Sequence, residues 1–80
     1  MTFAQYTNRL DELLWFLNYY QETEAEKLMQ SQQTYYSPQA RDRFYADYIN
    51  LRDVTIPQTQ KEYEELHDQF MTKFAIERET

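Results

Sequence analysis

Three observations predict an all-α fold for this 80-residue chain. It contains no glycine, three segments carry apolar side chains at three- and four-residue steps, and both prolines stand near the starts of such segments. An average composition would supply roughly five or six glycines. Glycine provides the φ > 0 positions of tight hairpins and bulges, and the close backbone approach of phosphate-cradling loops. Its absence therefore argues against a turn-rich β fold and against nucleotide loops of the Walker or dinucleotide type. The expectation is a single helical domain over residues 1–80, a small three-helix bundle. A long first helix carries two shorter helices packed on it, and the arrangement leaves room for a dimer.

The first helix is predicted over residues 3–31. Thr2 followed three residues later by Gln5 has the pattern of a capping box, in which each side chain satisfies a backbone N–H at the helix start. Behind it Phe3, Tyr6, Leu10, Leu13, Leu14, Leu17 and either Tyr20 or Gln21 recur at helical spacing and mark a buried stripe. The pattern weakens through Ala25 and Leu28 and is diluted by the polar run from Gln30 to Thr34.

The second helix is predicted over residues 38–53. Ser37 is a favoured N-cap, and Pro38 at the first helical position forfeits an N–H that has no intrahelical partner. Ala40, Phe44, Tyr48 and Leu51 form its stripe, with Tyr45 and Ile49 beside them. It is expected to stop near Asp53. Val54, Thr55 and Ile56 are β-branched, and Pro57 disfavours helical backbone at Ile56.

The third helix is predicted over residues 58–77, starting between Thr55 and Thr59. Thr59 with Glu62 and Thr55 with Gln58 offer rival capping boxes. Its stripe is Tyr63, Leu66, Phe70 and Phe74, flanked by His67 and Met71. The last residues, from Glu77 to Thr80, are expected to fray.

Charge and composition narrow the function. The formal charge is −6. Phosphate contacts need clustered Lys and Arg, so direct nucleic-acid binding is not expected, whereas a basic protein partner would be steered toward such a surface. The acids are uneven: the first and third helices each carry net −3 and the second is balanced, so Arg41, Arg43 and Arg52 are expected to pair with acids on neighbouring helices. There is no cysteine, which removes disulfides, thiolate metal sites and a cysteine nucleophile. No apolar run approaches the ~18 residues of a membrane span, and Met1–Gln5 lacks the basic start of a signal peptide. A cytoplasmic protein with no membrane contact and no cofactor is expected.

Four constellations stand out. Trp15 and Tyr19, four residues apart, lie on a different flank of the first helix from the leucine stripe, and Phe16 with Tyr20 lies on a third. Either both shorter helices cover these flanks or one flank meets another chain, and Trp and Tyr are the residues most enriched at binding hot spots. Tyrosine recurs eight times. Tyr35 and Tyr36 precede the Ser37 cap, where Tyr36 is placed to staple onto position N4 (Arg41) and Tyr35 is open to a partner.

The acids Glu22, Glu24 and Glu26 on the first helix and Glu62, Glu64, Glu65 and Asp68 on the third form the next group. Glu22 with Glu26 and Glu64 with Asp68 are i,i+4 like-charge pairs, which cost a few tenths of a kcal/mol each in an isolated helix. They read either as a solvated face or as carboxylates imitating duplex phosphates. Finally, Glu64 and His67 have the E-x-x-H spacing of helical di-metal sites. With one histidine in the chain, such a site needs a dimer, with Glu22 or Glu26 supplying further ligands. The alternative is His67 as a residue bordering the core.

No nucleophile–base arrangement is evident: His67 has no serine context, since Ser31 and Ser37 fall at loop or cap positions. The chain resembles phage-encoded acidic inhibitors and immunity proteins against nuclease toxins in size, charge and helicity, a similarity that carries over no residues. The expected function is therefore non-enzymatic. The leading reading is an inhibitor of phage or mobile-element type that occupies a basic surface of a protein partner, in one version a nucleic-acid-binding surface, through Trp15, Tyr19, Glu22, Glu26, Tyr35, Glu64 and Asp68. The alternatives are a homodimeric structural or regulatory bundle and a dimeric metal-binding bundle using Glu64 and His67.

Overall fold

The computed structural model describes the backbone of residues 1–79 and the side chains of residues 1–74. The described chain is helical with no strand. Helix α1 spans Phe3–Ser31, and after a short loop α2 spans Pro38–Asn50. A π-helical turn, Leu51–Thr55, leads without a break into α3, Ile56–Glu79. The three-helix bundle is thus replaced by a two-armed hairpin. α2 and α3 do not pack on each other but lie end to end as one arm, and α1 packs on both. The rod measures 62 × 17 × 16 Å, as expected for about 42 helical residues at 1.5 Å each beside one partner helix.

The helix starts follow their caps. Thr2 Oγ1 accepts from the Gln5 N–H at 3.2 Å, and the Thr2 N–H donates to Gln5 Oε1 at 2.8 Å, so both halves of the capping box are present. Ser37 Oγ accepts from the Ala40 N–H at 3.2 Å. The third expected start has no such cap. Thr59 Oγ1 instead donates to the Thr55 carbonyl at 2.8 Å, one turn back within a continuing helix.

The expected break at Asp53–Pro57 is a π turn. Within an unbroken α-helix Pro57 would lack the N–H that bonds the Asp53 carbonyl, and its ring would press on that carbonyl. The wider turn places the Ile56 N–H on the Leu51 carbonyl, five residues back. It also sets the phase of the arm. Arg41, Phe44, Tyr48 and Leu51 face α1 at steps of three and four, and Ile56, Thr59, Tyr63, Leu66 and Phe70 do so after it. The five-residue step from Leu51 to Ile56 joins two stripes that an ordinary α turn would leave out of line.

The core is a single seam. Its buried side chains are Tyr6, Leu10, Leu13 and Leu17 from α1 and Ile56 from α3. Leu13 is 2% exposed, but Leu14, also expected in the stripe, is 42% exposed because a single opposing arm covers one face of α1 and no more. At the open end of the hairpin Phe3 and Tyr6 pack on Phe70 and Phe74 with ring centroids 5.2–6.0 Å apart. Near the loop Tyr36 packs on Phe44 at 4.9 Å, one turn beyond the expected staple position at Arg41. The Arg41 Nε is buried without a hydrogen-bond partner.

Ion pairs across the seam come from α1 rather than from the expected arginines of α2. Arg9 bridges Glu12 at 2.8 Å and Glu62 at 2.6 Å, and Lys27 lies 3.7 Å from Asp47. Arg52 pairs with its sequence neighbour Asp53 at 2.9 Å. Exposed pairs of this kind fix register more than they add stability. α3 continues to Glu79, two residues past its expected end, and Thr80 lies outside the described residues. No helix among the described residues is long and apolar enough to cross a membrane.

Two outcomes follow. Leu13→Ala should cost about 2–5 kcal/mol, the range for emptying a buried leucine site, while Leu14→Ala should cost less than about 1 kcal/mol; urea unfolding followed by circular dichroism compares them. Deleting Val54 together with Pro57→Ala should give a regular helical arm and a higher Tm than deleting Val54 alone. An unfolded double variant would show that the π turn does not set the phase of the seam.

Candidate partner-binding face

One face of α1 points away from the seam. At 100° per residue, Asp11, Trp15, Tyr19, Glu22 and Glu26 succeed one another at steps of four, four, three and four, nearly opposite Leu10, Leu13 and Leu17. All five are exposed, Trp15 at 61% and Tyr19 at 51%. The flank is therefore covered by neither arm. The two rings stack in parallel, with centroids 5.6 Å apart and planes 3° from coplanar. Phe16 meets Trp15 edge-on at 5.2 Å and stacks on Tyr20 at 5.9 Å, so the aromatic surface continues around the helix toward the π-turn side. The ion pairs Arg9–Glu62 and Lys27–Asp47 place this cluster midway along the rod, level with the π turn.

The charges around the rings are of one sign. Asp11, Glu22 and Glu26 make no ion pair among the described residues. Four cations are engaged elsewhere. Arg9 is held by Glu62 and Glu12, and the hydrogen bond to Glu62 raises its guanidinium pKa, with Glu12 adding to the effect. Lys27 lies over Phe44 at 5.2 Å, Arg52 over Tyr48 at 5.4 Å, and Lys73 over Tyr6 at 5.6 Å. No cation of the described residues lies over Trp15 or Tyr19.

The other sequence-predicted residues do not join this face. Glu64 and Asp68 are exposed on the side of α3 turned away from the seam, hence on the opposite side of the rod. One flat partner cannot cover both acidic faces. Tyr35 stands at the loop pole, exposed, with its ring centroid 4.6 Å from that of Tyr36, and the neighbouring Tyr36 phenol raises the Tyr35 pKa.

His67 is exposed and stacks on Tyr63 at 5.9 Å. Glu22 and Glu26 lie near the middle and loop end of the rod, while Glu64 and His67 lie near its open end, so the two acidic groups do not converge within one chain. No three His or acidic side chains gather as a metal site among the described residues. Asp11 was not singled out in the sequence, although its four-residue step to Trp15 places it on the same face.

An open groove of about 440 Å³ lies beside the loop, walled by Leu28, Pro38, Tyr45, Arg41 and Asp42 among others. It is a quarter turn of α1 away from the acidic aromatic face. Comparison with known proteins finds no matching family model, no similar curated protein and no similar solved structure.

Proposed function

We propose that this chain is a non-enzymatic binding protein whose outward face of α1 docks on a basic surface of a protein partner. The observation that carries the reading is the parallel Trp15–Tyr19 stack, open to solvent and bracketed by the unpaired carboxylates of Asp11, Glu22 and Glu26. Exposed aromatic rings supply contact area at low entropy cost, and the acids supply attraction at a distance. A guanidinium or ammonium laid on the stack would meet a carboxylate within one or two turns on either side.

Carboxylates along one helix face also suit a surface that ordinarily receives nucleic-acid phosphates. An inhibitor of phage or mobile-element type, occupying such a surface, is the concrete form of the proposal. Its support is the net charge of −6 together with this placement of charge.

The placement separates two sets of variants. Glu22→Lys with Glu26→Lys should slow association with a partner captured on the immobilised protein by roughly tenfold or more, and the effect should shrink as salt rises. Glu64→Lys with Asp68→Lys, on the opposite face, should leave the association rate close to that of the parent. Trp15→Ala should speed dissociation by about 30-fold, the equivalent of about 2 kcal/mol at a hot spot. Surface plasmon resonance reads both rates. Binding indifferent to salt and to all four reversals would rule the electrostatic reading out.

A further inference from the structure

The chain grips one of its own arginines with the two kinds of group that line its outward face. The Arg52 guanidinium lies over the Tyr48 ring at 5.4 Å. Its Nε donates to Asp53 Oδ1 at 2.9 Å and its Nη2 to Asp53 Oδ2 at 3.3 Å, a bidentate pair. The hydrogen bonds to Asp53 raise the guanidinium pKa and hold the Asp53 carboxyl below its ordinary value. A planar fork can lie on a ring and still direct its N–H groups at a carboxylate. Lys27 is also set between a ring and a carboxylate, with a different result. Its Nζ lies 5.2 Å from the Phe44 centroid but 3.7 Å from Asp47, beyond hydrogen-bond reach.

The outward face of α1 repeats the ring and the carboxylate without the arginine. Asp11 stands one turn before Trp15 and Glu22 one turn after Tyr19, with Cβ atoms about 5–6 Å apart in each pair. Neither acid makes an ion pair, and neither ring lies under a cation, among the described residues. The Trp15–Tyr19 stack separates the two acids along the helix, so each end of the stack has its own carboxylate. The midpoints of the two pairs are seven to eight residues apart, or about 11 Å at 1.5 Å per residue. Glu26 has no ring within a turn and contributes to long-range attraction alone.

We infer that the partner presents two arginines, about 11 Å apart, that bracket this stack. One rests on Trp15 and pairs with Asp11, and the other rests on Tyr19 and pairs with Glu22. This choice of cation rests on the partner reading above and makes it specific. A lysine at either position keeps the charge attraction but forfeits the flat ring contact and the forked pair, as Lys27 does within the chain.

Octa-arginine and octa-lysine peptides, equal in charge, test the selection by isothermal titration calorimetry. At about 0.15 M salt, octa-arginine should bind about tenfold more tightly or better. Trp15→Leu with Tyr19→Leu, which keeps apolar bulk and removes both rings, should abolish the preference and leave octa-lysine binding as it was, with an unchanged helical spectrum. Asp11→Asn and Glu22→Gln should each weaken octa-arginine by about threefold, and the two effects should multiply because the sites are well separated. Glu64→Gln with Asp68→Asn should leave the preference intact. Equal, salt-sensitive affinity for the two peptides would overturn the arginine assignment while leaving a basic partner in place. A preference that survives the double leucine variant would overturn it too, by placing the arginines elsewhere. Failure of both peptides to bind even at low salt would overturn the assignment and the partner reading together.

Discussion

The whole structure depends on one narrow seam. A hairpin of two helical arms has a single line of contact, and this one concentrates its burial in Leu10, Leu13 and Leu17 facing Ile56 at mid-length. Every described side chain off that line is at least partly exposed. The requirement that both arms keep their apolar stripes on the seam governs the rest. It explains why the second arm takes a five-residue step at Leu51–Ile56, and why the strongest cross-arm ion pairs flank the leucines rather than lie among them.

The same constraint divides the surface into chemically different faces. The outward side of α1 carries exposed rings and unpaired carboxylates, and the outward side of α3 carries a separate set of acids. The flanks between them are nearly balanced in charge. A three-helix bundle would have covered Trp15 or Leu14 with its third helix, whereas the hairpin leaves both open. Exposed apolar groups on two distinct faces of a small chain are the feature for which partner binding gives a physical account.

Much of the local structure was legible in the residues. The caps at Thr2 and Ser37, the extent of α1 and the inward positions of the second arm follow from hydrogen-bonding chemistry and helical period. What was not legible is the phase relation across Pro57. Three β-branched residues followed by proline signal a helix end, and nothing local distinguishes an end from a π turn that relieves the same clash. The distinction depends on α1, which holds Leu51 and Ile56 on one side. Reading a break there turned one arm into two helices and predicted cover for Leu14 that does not exist. Of the site residues, Trp15, Tyr19, Glu22 and Glu26 share a face because they share a helix. Whether Glu64 and Asp68 would join them depended on the topology, and the hairpin sets them apart.

The cross-arm ion pairs close loops of different length. Lys27 and Asp47 are 20 residues apart in the chain, whereas Arg9 and Glu62 are 53 apart. Loop closure favours the first pairing over the second by about 0.9 kcal/mol. Chain entropy thus favours contact at the loop pole, where Tyr36 meets Phe44, over contact at the open end. The aromatic cluster of Phe3, Tyr6, Phe70 and Phe74 closes the longest loop of the hairpin.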